Sequence, residues 1–356
     1  MIFSRVEKVL KIMNEQNVPQ AIISDENAIF YLTGKWIHVG ERMIVLYLSL
    51  DGNHKLFINE LFPVYEDLGV EKVWFKDSDD YLGLLIESID KNHPLGIDKN
   101  WPAKFLIRLV QENVATSFIT CDAVDRARMF KDETEMNLMR AASKANDMAM
   151  ERLVKLVCEG LSEKEMVSKL AAIYEDLGTS GFSFSPIIAY GANCADPHHG
   201  TDNTTPVVGD SVILDIGCIK DSYCSDMTRT VFYKDANEKA REVFQTVLDA
   251  NKKAIEIIKP GVKFSEIDLV ARNHIESKGY GKFFTHRTGH AIGLEVHDLG
   301  DVSSVNHETV QPGMIFSIEP GIYLPDEVGV RIEDLVLVTE NGHEVLNSYN
   351  KDFTIV

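Results

Sequence analysis

Asp215, Asp226, His290, Glu319 and Glu333 are the residues of this chain best suited to hold cations. They lie in four short segments, and none of these is a metal site alone. Hard oxygen donors joined by one imidazole nitrogen suit two divalent ions of the Mn/Co/Zn type that share bridging carboxylates. A water held between such ions is acidic enough to act as hydroxide near neutral pH, which points to metal-assisted hydrolysis.

Each segment has its own logic. In VILDIG, Asp215 sits among apolar neighbours, where a bare carboxylate is expensive; a metal, an arginine or backbone amides must compensate. Asp226 follows the next turn, in SDMTRT, and an antiparallel hairpin can bring it to the same face as Asp215. Alone, either aspartate reads as a buried carboxylate capping a turn. HRTGHAIGLEVHD carries His286, His290 and His297, with Gly289 and Gly293 letting backbone come close around His290. A lone histidine is more often structural, but three so near together between glycines favour a site. His290 is the ligand choice, and His286 and His297 are candidate hydrogen-bond partners of substrate or intermediate.

Glu319 follows an apolar strand and precedes the turn pair Pro320-Gly321. Glu333 and Asp334 cannot share one side of a strand, so Asp334 is expected to point outward. Arg331 shares the Glu333 face and reads as its partner or as a clamp for a substrate carboxylate; the plain alternative is a surface ion pair. In DPHHG, Pro197 fixes the approach of His198 and His199, one of which can reach the pocket, unless both are simply solvated.

The positioning elements fall into two groups. Residues 1–125 read as a small α/β domain. It comprises a helix near 2–16, the strand AIISD, AIFYLTG as a strand-to-turn, and RMIVLYLSL turning at Asp51-Gly52 into KLFIN. A helix near 79–91, the strand LGID, the helix WPAKFLIRLVQEN and ATSFITCDAV follow. Residues 131–356 form the second group. Asp132 opens a long helix to about Cys158, and Ser162 with Glu165 makes a capping box for the next. SVILDIGCIK and SDMTRTVFY read as paired strands. Asp235 with Glu238, and Ser265 with Asp268, are read as the starts of two more helices, and short strands and turns follow. Helix pairs at 132–177 and 236–278, each followed by strands, suggest a pseudo-duplication.

Taken together, DIG, SDMTRT, GHAIGLEVHD, SIEPGIY and VRIED resemble the "pita-bread" metallopeptidases, the family of methionine aminopeptidase, prolidase and creatinase. The resemblance covers residues 131–356, while the part with AIFYLTG resembles the domain that precedes it in prolidases, aminopeptidase P and creatinase. It implies an α+β chain: a C-terminal pita-bread catalytic domain behind a smaller α/β creatinase/prolidase N-terminal domain. By the resemblance Asp215 is bidentate on one metal, Asp226 and Glu333 bridge both, and His290 and Glu319 complete the coordination, with His290 on the metal that Asp215 does not hold. The metals implied are two divalent ions, Mn2+ first, with Co2+ or Zn2+ as alternatives. His198, His286 and His297 match the family's non-ligand histidines, with Glu319 as proton shuttle; Tyr323 and Arg331 match positions lining its pocket. The activity implied is that of an Xaa-Pro dipeptidase (prolidase) acting on small peptides, as a homodimer. An aminopeptidase P-like enzyme for longer peptides is the near alternative. A catalytically inactive peptide- or protein-binding module is the distant one, disfavoured because the ligand set is complete. The loop LGDVSSVN, where many prolidases carry a proline-containing segment, leaves the preferred peptide length open.

Composition narrows the partners. A chain of 356 residues exceeds one typical core. A net charge of −19 repels nucleic acid and acidic membranes. The N-terminal apolar residues Ile2, Phe3, Val6, Val9, Leu10 and Met13 are interleaved with charges at helical spacing, unlike a secretory signal. No apolar run is long enough to span a membrane. Five cysteines, odd in number and without CxxC spacing, read as the reduced thiols of a cytoplasmic protein.

Overall fold

The computed structural model describes residues 1–356. Two compact units, Met1–Arg128 and Met129–Val356, divide the chain.

The first unit is built on six strands, β1 (Gln20–Ile23), β2 (Ile44–Ser49), β3 (Lys55–Asn59), β4 (Glu71–Phe75), β5 (Leu95–Ile97) and β6 (Phe118–Thr120), in the order β4-β3-β2-β1-β5-β6. The central pairs β1–β2 and β2–β3 are antiparallel, and β3–β4, β1–β5 and β5–β6 are parallel. Its helices are α1 (Phe3–Glu15), α2 (Glu26–Thr33), α3 (Tyr81–Ile86), α4 (Ala103–Gln111) and α5 (Ala123–Met129). A core of Ile22, Val45, Phe57, Leu85 and Leu109 lies against the sheet. AIFYLTG is helical rather than a strand-to-turn. The Asp25 carboxylate accepts the Ala28 amide at 2.9 Å, Gly34 closes the helix at φ 74°, and Ala28, Ile29 and Leu32 form one buried stripe. Local capping thus outweighs the β-propensity of Ile, Phe and Tyr.

The second unit opens with α6 (Glu133–Val157) and α7 (Glu163–Asp176), each started by a complete capping box, Asp132 with Glu135 and Ser162 with Glu165. Strands β7 (Ile187–Tyr190) and β8 (Ser211–Ile216) follow, then the short β9 (Ile219–Lys220) and β10 (Tyr223–Cys224), and β11 (Met227–Phe232). A second helix pair, α8 (Glu238–Glu256) and α9 (Phe264–Ser277), precedes β12 (Gly289–His290) and β13 (Asp301–Val302). The chain ends in β14 (Ile315–Ile318), β15 (Gly321–Leu324), β16 (Val328–Arg331), β17 (Asp334–Thr339) and β18 (Gly342–Val345). Each helix pair is thus followed by a three-stranded antiparallel sheet, β11-β8-β7 and β14-β17-β18. One apolar core joins α8 and α9 to Phe316, Ile322, Val330 and Val336, and another joins α6 and α7 to Ile188, Leu214 and Val231.

Two helix starts differ from the sequence reading. Asn237, not Asp235, caps α8 by accepting the Ala240 amide at 2.8 Å, because Asp235 turns to its own neighbour Ala236. At α9 the Glu266 carboxylate accepts the Lys263 amide at 2.9 Å, while Ser265 faces His307 and Asp268 is engaged inside the unit.

Candidate metal centre

Strand register explains how the first two carboxylates meet. Asp215 on β8 pairs with Thr228 on β11, and Asp226, two residues before Thr228, shares its face. Both aspartates are buried. Asp215 Oδ2 accepts a 2.6 Å bond from Arg331 Nη2, leaving its Oδ1 without a partner. Asp226 Oδ1 is also buried and unpartnered.

Glu333 lies between β16 and β17, with its Oε2 accepting the Thr228 hydroxyl at 2.8 Å and its Oε1 buried without a partner. Asp334 does not point outward. It is as buried as Glu333 and is paired with Arg229 and Lys351. The outward expectation fails because both faces of this segment are covered, one by the site and the other by the chain near Tyr349–Lys351. Arg331 is buried as well, so the surface ion-pair reading is wrong; its carboxylate partner is Asp215.

His290 arrives on β12. A Cβ on Gly289 would lie 1.9 Å from the Ser317 carbonyl oxygen, so close backbone requires glycine there, whereas one on Gly293 would meet side-chain atoms only, the nearest Asp298 Oδ2 at 2.5 Å. The His290 amide donates to Ser317 Oγ at 3.0 Å, and the same hydroxyl lies 3.2 Å from Glu319 Oε1. With Nδ1 directed at the Ala291 carbonyl, Nε2 faces Glu319 Oε1 at 3.5 Å and Asp226 Oδ2 at 3.6 Å. Asp226, His290 and Glu333 offer ligand atoms that all lie within 4.8 Å of one another.

The electrostatics fit a cation site. Burial pushes the His290 imidazole down to about 3, helped by the neighbouring His297, so the ring is neutral with a free lone pair. Burial pushes the Glu319 carboxyl up to about 7, with Arg331 opposing and Asp215 adding to the rise. Asp226 and Glu333 are driven well above the usual carboxylate range, first by burial and then by the carboxylates around them. Like charges crowded into a buried space with three orphaned oxygens need positive charge between them. Oxygen-rich donors with one neutral imidazole fit divalent ions.

These groups form part of the wall of a cavity of about 520 Å3 that also touches His198, His286, His297, Arg287, Phe184 and Val296. The His286 ring is pushed down to about 4, mainly by burial; its Nε2 lies 2.8 Å from the Tyr323 hydroxyl. Tyr323 does not line the cavity. It is buried behind it, its hydroxyl accepting from Arg331 Nη1 at 2.9 Å, so it braces His286 and Arg331. His297 stacks edge-on against His290 at 4.3 Å between ring centres.

Sequence reasoning missed Thr228 and Ser317, the hydroxyls that orient Glu333, Glu319 and His290. Period two from Asp226 pointed at Thr228 and from Glu319 at Ser317, but a hydroxyl carries no signature of its own. It also missed Asp268, which fixes the approach to β12 by accepting from the Thr288 hydroxyl at 2.7 Å.

Residues 137–340 match the model of metallopeptidase family M24, and residues 5–130 match that of the creatinase/prolidase N-terminal domain. An uncharacterized peptidase of Staphylococcus aureus (strain bovine RF122 / ET3-1) is 34% identical over 360 residues, covering 98% of this chain and 100% of the relative. The crystal structure of the prolidase from Pyrococcus horikoshii OT3 superposes with a TM-score of 0.90 at 30% identity, covering 98% of this chain and 99% of that one. An Xaa-Pro dipeptidase from Bacillus anthracis gives 0.90 at 27% identity, with 99% of each chain covered.

Proposed function

We propose that this chain, which belongs to metallopeptidase family M24, hydrolyses the peptide bond preceding proline in small peptides, with Xaa-Pro dipeptides as its substrates. The observation that carries the reading is the convergence of Asp226 and Glu333 with the neutral imidazole of His290, on the wall of a cavity that Asp215 and Glu319 also line, with one oxygen each of Asp215, Asp226 and Glu333 buried and unpartnered. The prolidase and Xaa-Pro dipeptidase names of the similar structures support the substrate class.

In this reading Asp215, Asp226, His290, Glu319 and Glu333 hold two divalent ions, Mn2+ first and Co2+ or Zn2+ as alternatives. Such ions acidify water and polarise a carbonyl. Glu319 carries a proton from water to the departing imino nitrogen. His198 and His297, on the cavity wall, steady negative charge on the carbonyl oxygen of the scissile bond. His286 and Arg331, braced by Tyr323, hold the carboxylate end of the peptide. An Xaa-Pro bond has no N–H to grip, so recognition falls on the ring and the termini, for which the cavity offers the apolar Phe184 and Val296 and the cationic Arg287 and Arg331. The reading also takes the enzyme to be cytoplasmic, in keeping with its five free cysteines, and homodimeric.

The test is hydrolysis of Xaa-Pro against Xaa-Pro-Yaa peptides with defined Mn2+ or Co2+. Activity abolished by chelator, restored by metal and greatest on the dipeptide is expected. Preference for the tripeptide would move the assignment to an aminopeptidase P-like enzyme. No hydrolysis of either peptide under any metal would refute the enzyme reading.

A further inference from the structure

The segment from Tyr190 to Thr204 carries His198, and it is laced onto the first turn of α7 by one buried carboxylate. Glu163 is fully buried, yet none of its bonds is to the metal cluster. Its Oε1 accepts the Tyr190 amide at 3.1 Å and Asn193 Nδ2 at 2.9 Å. Its Oε2 accepts the Asp202 amide at 2.8 Å and faces His199 Nε2 at 2.7 Å. The backbone adds two bonds at the same place, Glu163 N to Thr204 O and Lys164 N to Asp202 O, both 3.1 Å. Asn193 Nδ2 also reaches Thr204 Oγ1 at 3.2 Å, closing the segment on itself.

Glu163 also lies near His199 and Asp202 in a way that could suggest a second cation site. Its oxygens are already engaged by donors, so the arrangement is that of a hydrogen-bonded hub.

The bonds from α7 grip both ends of the segment, but the middle has few holds. Asp196 makes a local turn with the amides of His198 and His199. The Pro197 carbonyl receives Arg331 Nη1 at 3.4 Å, a long bond. The remaining hold is His199, whose ring reaches down to Glu163. The His198 ring has no hydrogen-bond partner of its own and is exposed on the cavity wall. Its position is therefore set by its neighbours: Pro197 held from the Arg331 side and His199 held from below.

We propose that His199 and Glu163 are positioning residues for the reaction, acting through His198. The adjacent histidines divide the work: one ring faces the cavity and the other anchors the backbone between them. This rests on the role given above to His198.

The test is a double-mutant cycle on the Mn2+-loaded, full-length enzyme with an Xaa-Pro dipeptide. His199→Phe removes the donor and leaves Glu163 three others, so the fold should persist. Its kcat is expected to fall about 10- to 100-fold with KM nearly unchanged, as a misplacement of about 1 Å does. Metal content and Tm should stay near wild type. His199→Gln, whose amide can donate to the same carboxylate, should recover most of the loss. In a His198→Ala background, His199→Phe should have little further effect, because it acts through a ring already removed. Multiplicative losses in the double variant, a wild-type kcat for His199→Phe, or no rescue by Gln would each overturn the proposal. If His198→Ala itself left kcat unchanged, the assigned role of His198 would fall instead, and the anchor proposal with it.

Discussion

The buried pair behind the site offers a sharp test of how the second unit is held together. Asp334 Oδ1 accepts Arg229 Nη2 at 2.8 Å, and Oδ2 accepts Lys351 Nζ. Arg229 in turn donates to the carbonyls of Thr228 at 3.0 Å and Tyr349 at 2.8 Å, and to Glu333 O. One guanidinium thus joins β11, the β16–β17 connection and the C-terminal segment. Asp334→Ala removes the counter-charge of an arginine only 3% exposed. Breaking one partner from such a pair costs about 3–5 kcal/mol. For a unit of this size, roughly 2–4 °C per kcal/mol gives a Tm lower by about 6–20 °C.

Asp334→Asn keeps the shape and removes the charge, so it should show a smaller loss with a defined pH dependence. Burial works to raise the Asp334 pKa, but the charges of Arg229 and Lys351 outweigh it and hold the carboxyl below its ordinary range. A depressed folded pKa contributes stability that is present above the unfolded value of about 3.9 and is lost as pH falls through the folded one. The gap between wild type and Asp334→Asn should therefore stay flat from pH 8 to pH 5 and close only below about pH 4. Calorimetry and urea titration across pH, both at saturating metal, measure it. A gap that shrinks between pH 8 and pH 6, or an Asp334→Ala variant within about 2 °C of wild type, would refute the pairing argument.

Metal removal has a pH signature of its own. The metal-free carboxyls of Asp226, Glu319 and Glu333 have raised pKa values, with Glu319 at about 7, so their stability contribution is full below the unfolded value and is lost as pH rises through the folded one. Chelated protein should melt higher at pH 5.5 than at pH 8, and the Tm gain on adding Mn2+ should be larger at pH 8; a pH-independent gain in a thermal-shift assay would count against the clustered carboxylates. Thr228→Val deletes the hydroxyl that orients Glu333 and lies 3.3 Å from Arg331 Nε while keeping a β-branched strand residue. Metal affinity, read by chelator competition, should weaken about 10- to 100-fold with the fold intact, and unchanged affinity would show that Thr228 orients nothing that matters.

Much of the site could be read in the sequence because its parts obey short-range rules. Period two in a hairpin brought Asp215 and Asp226 to one face, and Gly289 beside His290 announced close backbone, while Gly293 faces the side chains of Asp298 and Lys131. Capping boxes at Asp132 and Ser162 marked helix starts because donor and acceptor lie three residues apart. What was misread depended on distant partners. Asp334 looked solvent-facing because Arg229 and Lys351, which make its burial tolerable, are fixed only by the fold. Tyr323 looked like a wall residue, yet packing sets it behind the histidine and arginine it supports. AIFYLTG carries β-forming residues, and its helical state rests on the Asp25 cap and the Gly34 stop.

The charge balance of the centre bears on how many ions it takes. Asp215, Asp226, Glu319 and Glu333 bring four negative charges when ionised, and His290 is neutral. Arg331 is the buried cation among them, bonded to Asp215 and kept protonated. One divalent ion would leave the buried cluster a net charge of about −1, which still favours keeping a proton on one carboxyl. Two would leave it about +1, a sign suited to a hydroxide, a developing oxyanion or the carboxylate of a dipeptide. Asp226, His290 and Glu333 converge within 4.8 Å, and Asp215, with its buried Oδ1 unpartnered, lines the same cavity. Elemental analysis of active enzyme should therefore find two ions per chain, with activity following the second. Full turnover at one ion per chain would mean that a carboxyl of this cluster works in its protonated form.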